Sequence, residues 1–144
     1  MKISTRGRYA VRVLIDLAEH GRGREAYIPL KDIAKRQEIS LKYLETIMTE
    51  LSKSGLVEGV HGKGGGYRLV REPEQYRLNE ILKVTEGDLA PVACLEPSAP
   101  PCPRAADCRT LPVWQGFYKL TDEYFGGISL ADIMVASTSG DYVI

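Results

Sequence analysis

The stretch ISLKYLETIMTELSKSG, residues 39–55, runs directly into LVEGV, HGKGGG and YRLV, and this succession limits the possible folds more than any other feature of the chain. Apolar residues recur at Leu41, Leu44, Met48 and Leu51, with Ile47 beside them, at the three- and four-residue spacing of a helix with one buried face. Ser40 stands where a side-chain oxygen caps the first amides, and Gly55 where a left-handed residue ends the helix. The two short runs that follow flank a glycine-rich tip, which predicts an antiparallel hairpin. Upstream, IPLKDIAKRQEIS predicts a short helix with Ile33 and Ala34 inward. Two helices joined by a short turn and followed by a two-stranded ribbon outline a winged helix-turn-helix.

The flanking segments fill in the architecture. TRGRYAVRVLIDLAEH, residues 5–20, carries Tyr9, Ala10, Val13, Leu14 and Leu17 on one stripe and Val11, Ile15 and Ala18 on a second, with Ser4 or Thr5 as the cap. A helix apolar on two sides is expected between two layers. A turn is expected at GRGRE. After Pro73, LNEILKVTEG predicts a short helix closed by Gly87. Residues 88–108 hold five of the eight prolines and show no period, the mark of a functional or disordered loop. Regularity returns in TLPVWQGFYKLTDEYF, where Thr110 can cap, Pro112 occupies the first turn, and Trp114, Phe117, Tyr118, Tyr124 and Phe125 share a side. Ser129 and Asp132 have the spacing of a capping pair for a final helix. The expected fold is mainly α with a small β-hairpin wing: a winged helix-turn-helix over residues 1–77, then the loop 88–108 and the helices of residues 78–144.

The formal net charge is zero, yet its distribution is uneven. Residues 1–77 carry 15 Lys and Arg against 10 Asp and Glu, a balance of +5, while residues 78–144 carry 4 against 9, a balance of −5. A basic first half is suited to phosphates and an acidic second half to other contacts. No apolar run approaches the length of a membrane span, and MKISTRGRYAVR places charges where a signal peptide needs apolar residues. A cytoplasmic location without membrane contact is the expectation.

Duplex DNA is read by a helix whose first turns offer hydrogen-bonding side chains to base edges, with cations nearby for phosphates. In the third helix Ser40 and Lys42 suit phosphate or base contact, Tyr43 the backbone or a thymine methyl, and Glu45 a cytosine amino group, with Thr46 on the same face. Arg6, Arg8 and Arg12 add phosphate contacts. HGKGGG is not a P-loop, because Gly64 follows Lys63 where Ser or Thr is required. A hairpin tip that brings His61 and Lys63 to a minor groove accounts for it better. The competing explanations are a merely solvated face and a purely structural turn.

Every cysteine lies in CLEPSAPPCPRAADC: Cys94, Cys102 and Cys108, spaced C-x7-C-x5-C. An odd number in a reducing compartment argues against structural disulfides. Thiolates are the usual ligands of iron–sulfur clusters, and prolines keep a loop from collapsing into a helix. An iron–sulfur cluster therefore comes first. Zinc follows, since the C-x2-C pairs of a zinc ribbon are missing, then thiol oxidation, then a plain buried role.

GRYAVR at the start, ISLKYLE and SGLV around the third helix, GGGY in the wing, and the three cysteines followed by Trp114 together resemble the Rrf-two family of bacterial winged-helix transcription regulators, over nearly the whole chain. The resemblance implies a homodimer paired through the long aromatic helix, each subunit placing its third helix in a major groove of a near-palindromic operator with half-sites about 34 Å apart. It also implies an iron–sulfur sensor of the IscR-like kind, [2Fe–2S] ahead of [4Fe–4S], with cluster-assembly proteins among its partners. In such members the counterparts of Ser40 and Glu45 help to read DNA, and the wing carries an arginine where this chain has His61. A neutral imidazole suits the negative potential of a minor groove less well. The family's fourth ligand is a histidine three residues past the last cysteine, where this chain has Leu111, or a carboxylate in the first helix, where it has Arg8. Glu96, Asp107, a group from the other subunit, an exogenous ligand, or a four-iron cluster with one open iron are left for that role. No enzyme chemistry is implied. Alternatives are a cluster-free regulator controlled by a protein partner, as in CymR-like members, and an interaction module without a DNA target.

Overall fold

The computed structural model describes residues 1–21 and 25–139. Its elements are α1 (Thr5–His20), α2 (Leu30–Gln37), α3 (Leu41–Lys53), β1 (Val57–Val60), β2 (Gly66–Leu69), α4 (Leu78–Glu86), α5 (Leu111–Gly126) and α6 (Leu130–Ser139), with 3-10 turns at Pro73–Gln75 and Ala93–Leu95. The order and types match the expectation of a mainly helical chain with one hairpin. The turn expected at GRGRE falls on residues 22–24, outside the described residues.

The two apolar stripes of α1 explain its place: α2, α3, α4, α6 and β2 all pack on it. Ala10, Val13, Leu14 and Leu17 are buried, and Val11, Ile15 and Ala18 pack half-buried against the same core. That core includes Leu44, Ile47, Met48 and Leu51 of α3, and also Tyr76, Ile81 and Leu130, so it runs from the first helix to the last. Leu41 departs from the predicted stripe: it is 46% exposed, because the first turn of α3 projects beyond the helices it packs on.

Ser4, of the two expected caps, holds the start of α1; its Oγ accepts from the Gly7 N–H at 3.0 Å. Glu86, the last residue of α4, accepts from the Ser4 N–H at 3.0 Å and from the Ser4 hydroxyl at 2.6 Å. A carboxylate at a helix N-terminus also meets the positive end of the helix dipole. Gly7 makes room for it, since a Cβ there would lie 2.3 Å from Glu86 Oε1.

Asp16, on the stripe of α1 that faces α2, is 1% exposed. Arg36 grips it with two bonds, Nε to Oδ2 at 3.0 Å and Nη2 to Oδ1 at 2.8 Å, and the Gln37 amide donates to Oδ2 at 2.8 Å. A buried carboxylate is tolerable only with such company. The bond to Asp16 in turn raises the Arg36 pKa above its ordinary value. Between α2 and α3 the chain reverses through Glu38, left-handed at φ 55, with Ile39 buried as the peg of the turn.

Tyr76, fully buried, ties the base of the wing to the helices. Its hydroxyl donates to the Leu56 carbonyl at 2.6 Å and accepts from the Val70 N–H at 3.0 Å, while its own carbonyl accepts from the Leu130 N–H at 3.2 Å. The predicted Ser129–Asp132 capping pair is present, with bonds of 2.9 and 3.1 Å in the two directions.

Replacing Asp16 with alanine leaves the Arg36 guanidinium and the Gln37 amide without their shared acceptor. A loss of about 3 kcal/mol is expected, read as a lower urea midpoint at unchanged slope.

Candidate nucleic-acid interface and cysteine loop

The first turns of α3 stand clear of the body. Ser40 caps the helix, its Oγ accepting from the Tyr43 N–H at 3.2 Å, and Ser40, Lys42, Tyr43, Glu45 and Thr46 are all exposed. Thr46 Oγ1 donates back to the Lys42 carbonyl at 3.3 Å, so its hydroxyl proton is occupied. The Tyr43 ring meets Tyr9 of α1 edge to face, with centroids 5.9 Å apart, which fixes its direction.

The three arginines of α1 separate into two roles. Arg8 is exposed, and among the described residues its guanidinium donates to Thr5 Oγ1 at 3.0 Å, one turn back on the same helix. Arg6 donates to the Thr85 carbonyl at 3.2 Å and lies 3.5 Å from Glu50 of α3, so it joins α1, α3 and α4. Arg12 stacks over Tyr9 at 4.9 Å and bonds the Gln37 side chain at 3.2 Å and the Gln37 carbonyl. Arg6 and Arg12 are therefore structural first, and sequence could not foresee this because their hydrogen-bond and ion-pair partners lie 25 or more residues away.

The wing is a two-stranded antiparallel sheet in the register Val57↔Leu69 to Val60↔Gly66. The stretch just before α2 joins its far side: Ile28 N–H donates to the Tyr67 carbonyl at 2.8 Å and Tyr67 N–H to the Ile28 carbonyl at 2.9 Å. This pairing gives the glycines their reason. Gly64 is left-handed at φ 78, a Cβ on Gly65 would lie 2.2 Å from the Val60 carbonyl oxygen, and one on Gly66 would lie 2.2 Å from that of Ile28. His61 and Lys63 sit exposed at the tip. Arg68, stacked on Tyr27 at 4.4 Å, pairs with Glu58 across the strands at 2.5 Å and neutralises it.

The cysteine loop leaves α4 at Gly87, left-handed at φ 83. Asp88 next to it accepts from the Tyr118 hydroxyl at 2.9 Å and from the Ala90 N–H at 3.1 Å, anchoring the loop to α5. Tyr118 is raised in pKa by its burial and by Asp88. Cys94, Cys102 and Cys108 are all free thiols, the first two exposed and the third half-buried. Thr110, expected to cap α5, makes no side-chain cap bond; its Oγ1 lies 3.4 Å from Cys108 Sγ instead, and this contact lowers the thiol's pKa. Among the described residues no three His, Cys, Asp or Glu side chains are gathered as a metal would require. The donor types fit an iron–sulfur cluster or zinc; holding either requires the loop to draw its sulfurs together.

None of the residues of α5 is buried. Trp114, Phe117 and Tyr124 of the predicted aromatic set are exposed, whereas Tyr118 and Phe125 turn half-buried towards the body. Val113 and Leu120, which aromatic spacing alone overlooked, are 60% and 65% exposed and complete a stripe at 113, 117, 120 and 124. That alternation of four, three and four is the spacing of an apolar helix seam. At the base of α5 the Asp122 carboxylate lies 2.7 Å from Lys83 Nζ and accepts from Asn79 at 3.1 Å; these two partners, Lys83 foremost, hold its pKa below the usual range.

A helix-turn-helix with a glycine-tipped wing and an exposed polar first turn on its third helix defines the class: a winged-helix transcription regulator, not an enzyme. The comparisons agree. The chain belongs to the Rrf2 family, described as iron-dependent transcriptional regulators, which matches residues 3–136. It is 40% identical over 134 residues to the protein rrf2 of Nitratidesulfovibrio vulgaris, covering 93% of this chain and 87% of the relative. The HTH-type transcriptional regulator IscR of Aliivibrio salmonicida is 36% identical, over 94% of this chain and 78% of its own. Among solved structures, T. potens IscR superposes with a TM-score of 0.74 at 34% identity, covering 100% of this chain and 93% of that one. CymR, the global cysteine regulator of B. subtilis, gives 0.72 at 32%, covering 94% and 97%.

Gly66→Ala forces a Cβ against the Ile28 carbonyl in a backbone conformation that L-residues avoid. A destabilisation of about 3 kcal/mol is expected, together with loss of amide-exchange protection at Tyr67. For Asp122 the depressed pKa fixes the sign: its stabilisation is fully present above about pH 4, the ordinary carboxylate value, and is lost as pH falls through the lower folded value. Thermal melts of Asp122→Asn and the parent chain should therefore differ at neutral pH and converge in acid.

Proposed function

We propose that the protein is a homodimeric, cytoplasmic transcription regulator that senses iron–sulfur cluster status or redox state through Cys94, Cys102 and Cys108. In this reading residues 1–77 bind DNA, with α3 in the major groove of a near-palindromic operator, and residues 78–144 carry the sensor loop and the pairing helices. The observation that carries it is the placement of all three thiols, free and accessible, on the connection between α4 and α5. The relatives named IscR and the iron-dependent family description support the same assignment.

Ser40, Lys42, Tyr43, Glu45 and Thr46 face the groove, Arg8 and Lys63 take phosphates, and His61 lies at the edge of the minor groove. Trp114, Phe117 and Tyr124, extended by Val113 and Leu120, form the pairing seam, since an apolar stripe of this size calls for a partner. Cys94, Cys102 and Cys108 would hold the cluster, a [2Fe–2S] centre ahead of a [4Fe–4S] one and zinc behind both, with cluster-assembly proteins supplying it. When bound, the group gives the loop a link that depends on redox state and iron supply. Glu96, Asp107, a group from the partner, or an exogenous ligand completes the coordination. Asp88 and Glu86 flank the start of the loop, so closing it bears on Tyr118 of α5 and on the cap of α1.

A second reading, a cluster-free regulator governed by a protein partner, is favoured by the likeness to CymR and by the ungathered sulfurs. Anaerobic reconstitution separates the two. The wild-type chain is expected to gain iron, acid-labile sulfide and visible absorbance, and the triple Cys→Ala variant none of these, with its operator affinity altered by tenfold or so, about 1.4 kcal/mol. A colourless wild-type protein, with identical DNA binding by both chains, favours the cluster-free regulator.

A further inference from the structure

We propose that Thr110 is a positioning residue of the cysteine loop: its hydroxyl donates to Cys108 Sγ and so sets the reduction potential of a metal centre bound through that sulfur. This role rests on the reading of the three thiols as ligands of an iron–sulfur cluster, and it adds a tuning group from outside the ligand set.

The three sulfurs are not equivalent. Cys94 and Cys102 are exposed, and among the described residues neither sulfur has a hydrogen-bond partner. Cys108 is half-buried, with Thr110 Oγ1 3.4 Å from its sulfur. In the free thiol either atom can donate across that gap. Ligation removes the S–H proton, so only the O–H···S direction remains, with sulfur as acceptor. The Thr110 side chain makes no cap bond to α5, so among the described residues nothing competes with Cys108 for its hydroxyl. The helix fixes where that hydroxyl stands: the Thr110 carbonyl accepts from the Val113 N–H at 3.0 Å and from the Trp114 N–H at 3.3 Å. Behind the hydroxyl, the backbone N–H groups of Thr110 and Leu111 bear on the same sulfur. The contact spans two residues and is anchored in the first turn of α5, so it does not depend on how the rest of the loop folds to bring in Cys94 and Cys102. When a one-electron donor reduces the bound centre, one negative charge is added and shared by the ligand sulfurs, and no bond forms or breaks. A hydrogen bond to a ligating sulfur stabilises the more negative state and raises the potential.

The test is an anaerobic redox titration of the reconstituted chain with dithionite, followed by visible absorbance. Thr110→Val keeps the branched shape and removes the donor. It is expected to shift the oxidised-to-reduced ratio at a fixed potential about tenfold towards the oxidised form, a lowering of about 59 mV for one electron. Thr110→Ser keeps the hydroxyl and is expected to restore the wild-type potential. Both variants should keep the wild-type urea midpoint, whereas a merely structural Thr110 would move the midpoint and leave the potential alone. Loss of iron from Thr110→Val while Thr110→Ser retains it also assigns the hydroxyl to the site. An unchanged potential in Thr110→Val, or equal shifts in the valine and serine variants, overturns the role of Thr110 and leaves the cluster reading standing. A wild-type chain that takes up no iron overturns both.

Discussion

A single buried carboxylate, that of Asp16, sets the geometry on which DNA reading depends. With two bonds from Arg36 and one from Gln37, it fixes the end of α2 against the middle of α1. Arg12 reaches the same Gln37 from one helical turn earlier, so the junction is gripped from two sides. A purely apolar contact would allow the helices to slide, whereas the planar guanidinium fork accepts one register. Because Glu38 and Ile39 leave a turn of minimal length, the axis of α3 follows from that of α2. The exposed side chains on the first turns of α3 inherit their direction from this junction.

The second constraint is close backbone approach, and it explains glycines that composition alone would assign to flexibility. Gly7 admits the Glu86 carboxylate to the start of α1, and Gly66 lets β2 lie against Ile28. In both places a missing Cβ brings together segments far apart in sequence. The wing is consequently held along β2 by Ile28 and at its base by Tyr76, while β1 from Glu58 onward and the tip to Gly64 are exposed. Tyr76 also accepts from Leu130, so the wing and the last helix share one anchor.

Charge divides the chain at about residue 77, but packing does not follow that division. Ile81 and Leu130 lie in the same core as Ala10 and Leu44, and α4 rests on α1. The cysteine loop therefore starts from a helix built into the same body as α1 and α3. At its other end stands α5, attached through Asp122–Lys83 and Tyr118–Asp88 while its apolar seam faces outward. The loop lies between a packed platform and the exposed apolar face of α5, a placement in which a change in the loop bears on both.

Local rules settled the order of elements, because each depends on neighbours within a few residues: the apolar spacing of α1 and α3, the Ser4 and Ser40 caps, the left-handed Gly55 and Gly87, and the capping box at Ser129. The hairpin and its glycine-rich tip were legible for the same reason, as were the three thiols on a proline-rich loop. Tertiary structure decided whatever needed a partner distant along the chain. It drew Arg6 and Arg12 into internal contacts, turned Leu41 outward, and placed Asp16 within reach of Arg36 and Gln37. Periodicity reports which face of a helix is apolar; which polar side chain meets which is fixed only when helices pack at one angle and distance, since a hydrogen bond fails if its atoms stand an ångström too far apart.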